Sequence, residues 1–115
     1  MLSVNHRFHG HGSLRYVYKN GQAIRSRLIT IKYVSNPHRK HSRFAVVVSK
    51  KVHKSAVGRN RIRRRLYEII RQEIPKLRAP HDVAMLVFSS EVLTMSSDDL
   101  KETVVQLFTQ ADLYK

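Results

Sequence analysis

Residues 28–34 (LITIKYV) alternate with the period of a half-buried strand: Ile29, Ile31 and Tyr33 fall on one side, Thr30, Lys32 and Val34 on the other. Residues 43–49 (RFAVVVS) repeat the pattern, with Phe44, Val46 and Val48 opposed to Ala45, Val47 and Ser49. In both, large apolar groups occupy the first face, which is expected to be core. The second face carries smaller or more polar groups and is suited to floor a groove. A short strand is expected at about 22–25. Asp82 to Phe88 is almost continuously apolar and reads as a strand covered on both faces.

Elsewhere the period lengthens to that of a helix. Ile62, Leu66, Ile69, Ile70, Glu73 and Ile74 follow one stripe, so a helix is expected from an N-cap at Ser55 to Gln72 or Glu73, where Ile74-Pro75 stops it. Gly58 in its first turn costs about 1 kcal/mol if fully interior. Ser13 is the expected cap of a short helix, Leu14 to Asn20, ended by Gly21. Ser97-Asp98-Asp99 caps a last helix striped by Leu100, Val104, Leu107, Phe108 and Ala111. Asn36-Pro37 marks a turn into a basic loop through Arg39, Lys40 and Arg43, and Pro75 and Pro80 bound a connector. Residues 1–12 read as a flexible basic arm. The order is α, two or three β, α, β, α: one α+β domain over residues 1–115, a small sheet packed with helices.

Charge changes what this framework is for. The 115 residues carry a formal net charge of +14. Residues 1–67 hold seventeen Lys or Arg and no acid, whereas residues 68–115 hold five basic and all eight acidic residues. Such a balance makes nucleic acid the default partner. The stretch 50–68 concentrates eight of the cations, and Arg61, Arg64, Arg65 and Arg71 are expected to point away from the apolar stripe. A merely solvated helix face mixes signs in i, i+4 pairs; here the arginines repel one another unless an anion lies against them. A membrane-binding helix would set bulky apolar residues beside the charges on one long element, which this chain does not do. No apolar run approaches a membrane span, Met1 leads into no signal-peptide pattern, and there is no cysteine. A cytoplasmic protein with no membrane partner is expected.

No catalytic constellation is visible. The acids sit on a capping turn (Asp98, Asp99), a helix surface (Glu102) or a loop (Glu91), with no pair placed for acid–base work and no glycine-rich phosphate loop. His6, His9 and His11 lack the spacing of a metal site, and His53 reads as a packing or polar residue rather than a base. What the residues offer is binding. Arg59, Arg61, Arg63, Arg64 and Arg65 can form bidentate bonds to phosphate, Asn60 can reach a sugar or base edge, and Tyr18, Tyr33 and Tyr67 can stack on unpaired bases.

Ser49-Lys50-Lys51, followed by Lys54, Val57 and Arg59-Asn60-Arg61-Ile62-Arg63-Arg64, resembles the protein subunit of bacterial ribonuclease P. The likeness extends to Leu14–Gly21 as that family's first helix, residues 27–34 as its apolar strand and Leu100–Leu113 as its last helix. It implies an αβββαβα order with a left-handed βαβ crossover, against the general preference. It implies a protein that joins a catalytic RNA and helps remove the 5′ leader of precursor tRNA. The active site and its Mg²⁺ would lie in the RNA, with no metal or catalytic residue in this chain. Lys54, Arg59, Asn60, Arg61, Arg63, Arg64 and Arg65 would contact that RNA. The leader groove would be formed by Leu14, Tyr18, Thr30, Lys32, Ala45, Val47, Ser49 and Lys51. Leu14 and Lys32 stand where the family often has aromatics, implying weaker stacking and more reliance on charge. The alternatives are a stand-alone RNA-binding or ribosomal protein and, less well matched for lack of helix-turn-helix spacing, a DNA-binding regulator.

Overall fold

Four strands form one sheet: β1 (Gln22–Arg25), β2 (Ile29–Ser35), β3 (Arg43–Val48) and β4 (His81–Val87), in spatial order β1-β2-β4-β3. This computed structural model describes residues 6–8, 11–37, 39–78 and 80–115. The last strand in sequence inserts between its predecessors, antiparallel to β2 with Ile29 opposite Val87 and parallel to β3 with Val48 opposite Val87. That central place explains its apolar composition, since Val83, Ala84, Met85 and Val87 are all buried. The parallel β3–β4 pair requires a crossover, supplied by α2 (Ala56–Glu73).

The two faces of the sheet divide as the alternation predicts. Ile29, Ile31, Phe44, Val46 and Val48 are buried against Ile62, Leu66 and Ile70 of α2 and against Leu100, Val104, Leu107 and Phe108 of α4 (Ser97–Gln110). Ile62, Leu66 and Ile70 are fully buried, worth about 1.5–3 kcal/mol each. Ser55 caps α2 by accepting from the Gly58 N–H at 3.3 Å. On the opposite face α1 (His11–Asn20) packs on β2 and β4 and seats the fully buried Val17.

Glu73 belongs to the apolar stripe of α2 because its carboxylate is satisfied where it lies. It is 2% exposed, and accepts from the Tyr114 hydroxyl at 2.8 Å and from Lys76 Nζ at 3.2 Å. Burial, and then this bond to Glu73, push the Tyr114 phenol above its ordinary range.

Several expectations are corrected. Helix α1 begins at His11, so Ser13 lies inside it rather than at its cap. Helix α4 is capped by Ser96, which accepts from Asp99 N–H at 3.1 Å, one residue before the expected Ser97. Glu91 lies not in a loop but at the start of a one-turn helix, α3 (Glu91–Thr94), too short to leave a period. Leu86 is only half-buried, and Phe88 lies beyond β4 and is 60% exposed, so the covering of that strand is incomplete towards its end on the face away from α2. Arg43 is no loop cation: it opens β3, buried, and clasps Asp82 through Nε at 3.0 Å and Nη2 at 2.7 Å. Part of the expected arm is docked. Arg7 bridges Phe44, His6 Nδ1 lies 2.8 Å from the Ser42 carbonyl, and the Phe8 ring covers the Arg43 guanidinium at 5.1 Å. Residues 1–5, His9 and Gly10 lie outside the described residues.

Candidate nucleic-acid interface

The chain leaves β3 at Val48 and turns into α2 through residues 49–55, where the Ser49 carbonyl accepts from the N–H groups of Val52 and His53. The His53 ring folds onto Gly58. A Cβ there would stand 2.2 Å from the ring, and Nδ1 accepts from Ser55 N–H at 3.2 Å. Any side chain at this position would have to displace the His53 ring, which packs on the glycine.

The arginines of α2 divide into two groups. Arg59 Nη1 donates to the carbonyls of His53 and Lys54, both at 2.9 Å, and clamps the turn. Arg63 Nη1 donates to Asn60 Oδ1 at 2.5 Å. Arg65, expected to face outward with the RNA-binding set, instead reaches across to α3. It donates to the carbonyls of Val92 at 2.6 Å and Leu93 at 2.9 Å, and also to Met95. These are the orphan acceptors at a helix C-terminus, which a guanidinium satisfies well. Arg71, also expected outward, is exposed and pairs with Glu68 at 2.5 Å; that hydrogen bond holds the Glu68 carboxyl below its usual range. Lys50, Lys51, Lys54, Arg61 and Arg64 are exposed, and Arg61 and Arg64 have no protein partner among the described residues. No acid stands in the first turn of α2, so the positive end of the helix dipole adds to this patch.

The groove lies on the other side of the same turn. Strand register sets Thr30, Leu86 and Val47 in one row, Lys32, Ala84 and Ala45 in the next, and Val34, Asp82 and Arg43 in a third. Helix α1 packs against the β2–β4 part, and Thr30 is only 5% exposed, which removes it from any open floor. Ala45, Val47, Leu86 and Lys32 remain half-buried, and the floor runs out along β3 to the exposed Ser49 and Lys51. Leu14 is half-buried and Tyr18 exposed on α1. Lys32 Nζ stands 5.7 Å from the Tyr18 ring centroid, a cation–π contact that joins two of the expected groove residues. Burial raises the Tyr18 phenol above its ordinary range. Of the other two tyrosines, Tyr33 donates to Gln22 Oε1 at 3.0 Å, and the Tyr67 hydroxyl accepts from Val46 N–H at 3.0 Å on the outer edge of β3. Tyr67 is thereby a strut, although it also lines a shallow pocket with Asn60, Arg63 and Arg64.

Sequence reasoning missed Phe88. It follows Ala84 and Leu86 in phase, and its N–H extends the ladder to the Leu28 carbonyl at 2.9 Å. The signal was an aromatic at the end of an otherwise aliphatic strand, read as core because the apolar run was unbroken.

A cationic helix start and a shallow groove that share one turn define a basic α+β domain of the RNA-binding kind. The comparisons give the particular family. The Ribonuclease P family model matches residues 2–112. The ribonuclease P protein component of Synechococcus sp. (strain JA-2-3B'a(2-13)) is 31% identical over 98% of this chain and 86% of its own length. That of Prochlorococcus marinus (strain MIT 9312) is 38% identical over 75% and 76%. Among solved structures, the RNase P protein of Staphylococcus aureus superposes with a TM-score of 0.84, at 20% identity over 96% of this chain and 98% of that one. The Thermotoga maritima protein gives 0.81, at 20% identity over 90% and 96%. The chain belongs to the ribonuclease P protein family.

Proposed function

We propose that this protein, as the protein component of ribonuclease P, uses the start of α2 to join the catalytic RNA and the groove beside it to hold the 5′ leader of precursor tRNA. The observation that carries the reading is the continuity of the two surfaces. Ser49 and Lys51 lie in the 49–55 turn that runs from β3 directly into α2, whose first turns carry the exposed Arg61 and Arg64 after Lys54, so one strand of RNA can leave the first surface and meet a partner bound on the second. Arg61 and Arg64 are the side chains ready to bond phosphate without giving up a protein contact. Arg59, Asn60 and Arg63 act from within the turn and helix, presenting a preorganised surface. Arg65 is a positioning residue, holding α3 against α2.

In the groove, Ala45 and Val47 are small enough for a sugar–phosphate chain to approach the sheet. Tyr18 and Phe88 offer faces on which unpaired bases stack, worth about 1–3 kcal/mol per base, and Phe88 offsets the missing aromatics at Leu14 and Lys32. Lys32 and Lys51 supply charge. Among the described residues no group of three or more His, Asp or Glu converges to hold an ion. On this reading the hydrolysis and its Mg²⁺ belong to the RNA partner. No helix among the described residues is long and apolar enough to cross a membrane, and we place the protein with precursor tRNA in the cytoplasm. The family match removes the ground for a stand-alone RNA-binding or ribosomal protein.

The two halves of the reading separate experimentally. Val47→Trp, which fills the groove, is expected to abolish the preference of the assembled enzyme for substrate with a leader over mature tRNA while leaving assembly intact. Arg61→Ala with Arg64→Ala is expected to weaken assembly and spare the preference. Interchanged effects would show that the surfaces have been assigned the wrong way round.

A further inference from the structure

The groove does not end at Ala45. Strand register continues its floor to Arg43 and Asp82, with Val34 beside them, about 20 Å from Ser49 by the rise of a strand. There the floor opens into a cavity of about 590 Å³, walled by Tyr16 of α1 and by Asn36 and Arg39 of the loop after β2. The pair at its base is closed on itself. Asp82 accepts from Arg43 Nε at 3.0 Å, from Arg43 Nη2 at 2.7 Å and from Asn36 Nδ2 at 2.9 Å. The carboxylate offsets the guanidinium and would repel a phosphate laid against it. One donor is left over: Arg43 Nη1 is buried without an acceptor, on a side chain only 5% exposed. Such orphans are rare in folded proteins, and this one calls for an uncharged acceptor. The Phe8 ring lies over the guanidinium at 5.1 Å, and an acceptor reaches Nη1 as that ring moves aside.

The walls suit a flat ring. Tyr16 is 57% exposed, and Arg39 stands exposed at the rim with no side-chain partner among the described residues. We propose that this cavity is a base-binding site for single-stranded RNA. Tyr16 stacks on the base, and Arg43 Nη1 donates to a carbonyl oxygen or ring nitrogen on its edge. Arg39 meets the phosphate of the same nucleotide outside the cavity. A nucleobase supplies what the floor lacks, a neutral acceptor on a planar ring. The proposal rests on the groove reading, which lays the leader along β3. The base is then one of the leader, further from the cleavage site than those over Ala45 and Val47.

The test uses the enzyme assembled with a bacterial ribonuclease P RNA and reads its affinity for precursor tRNA. Leader bases are removed one at a time by placing abasic nucleotides along the leader. The expected result is one position, upstream of those in the groove, at which loss of the base weakens binding about tenfold. Tyr16→Ala is expected to weaken binding of the intact substrate comparably and to erase the sensitivity at that position alone, whereas Tyr16→Phe keeps it. Arg43 is left in place, because removing it strands the buried Asp82 carboxylate; its donor is read on the substrate instead. At the sensitive position a difluorotoluene nucleotide, which keeps the shape of uracil and lacks its carbonyl acceptors, is expected to bind about tenfold more weakly than uridine. Equal binding of the two, or an abasic scan that Tyr16→Ala leaves unchanged, would overturn the proposal. A scan in which only bases over Ala45 and Val47 matter overturns it and leaves the groove reading standing. Affinity that no leader nucleotide affects overturns both.

Discussion

Arg64 and Arg65 are neighbours of one residue type with opposite duties. Arg64 stands in solvent, whereas Arg65 saturates three carbonyls around α3. Removing a donor from half-buried acceptors costs about 1–3 kcal/mol. Arg65→Ala is accordingly expected to lower unfolding stability by about 2 kcal/mol in a denaturant titration. Arg61→Ala with Arg64→Ala is expected to leave it within about 0.5 kcal/mol and to reduce RNA affinity instead. A stable Arg65→Ala protein with weakened RNA binding would return that residue to the interface. The sequence could not make this distinction, because helical phase sets an azimuth around α2 and says nothing about the one-turn helix that meets Arg65 there. Arg43 was hidden for a similar reason. Its partner Asp82 is 39 positions away, and only the strand register brings the two together.

At the scale of elements, α2 shows how a local penalty can be a packing requirement. Glycine in a helix costs up to about 1 kcal/mol relative to alanine, so Gly58→Ala would ordinarily stabilise. Here the new Cβ would meet the His53 ring at 2.2 Å. Gly58→Ala alone is expected to destabilise, and in a His53→Ala background the same change is expected to stabilise. Equal effects in both backgrounds, measured as a double-mutant cycle, would refute the contact. The alternating strands, the long helices and the Ser55 cap were legible because each is written as a period or a cap within about twenty residues. The insertion of β4 between β2 and β3 was not, because strand order is a matter of long-range pairing; nor was α3, whose four residues are shorter than two turns. The groove was legible as a face, but Thr30 was not legible as covered, since that depends on where α1 lies across the sheet.

For the whole molecule, the uneven distribution of charge outlasts any single contact. A surface that neutralises about six phosphates should lose about a thousandfold in affinity between 50 and 200 mM salt. A nearly flat dependence would mean that the cations on α2 and at the groove exit are not the grip. The central claim is that this chain assists removal of the 5′ leader as a partner of a catalytic RNA. It is tested most directly by the rate of leader cleavage from precursor tRNA by a bacterial ribonuclease P RNA at low Mg²⁺, with and without the protein. The account predicts clear stimulation by the native chain, and its loss in the Arg61→Ala, Arg64→Ala variant although that variant stays folded. An unchanged rate on adding the folded native protein would contradict it.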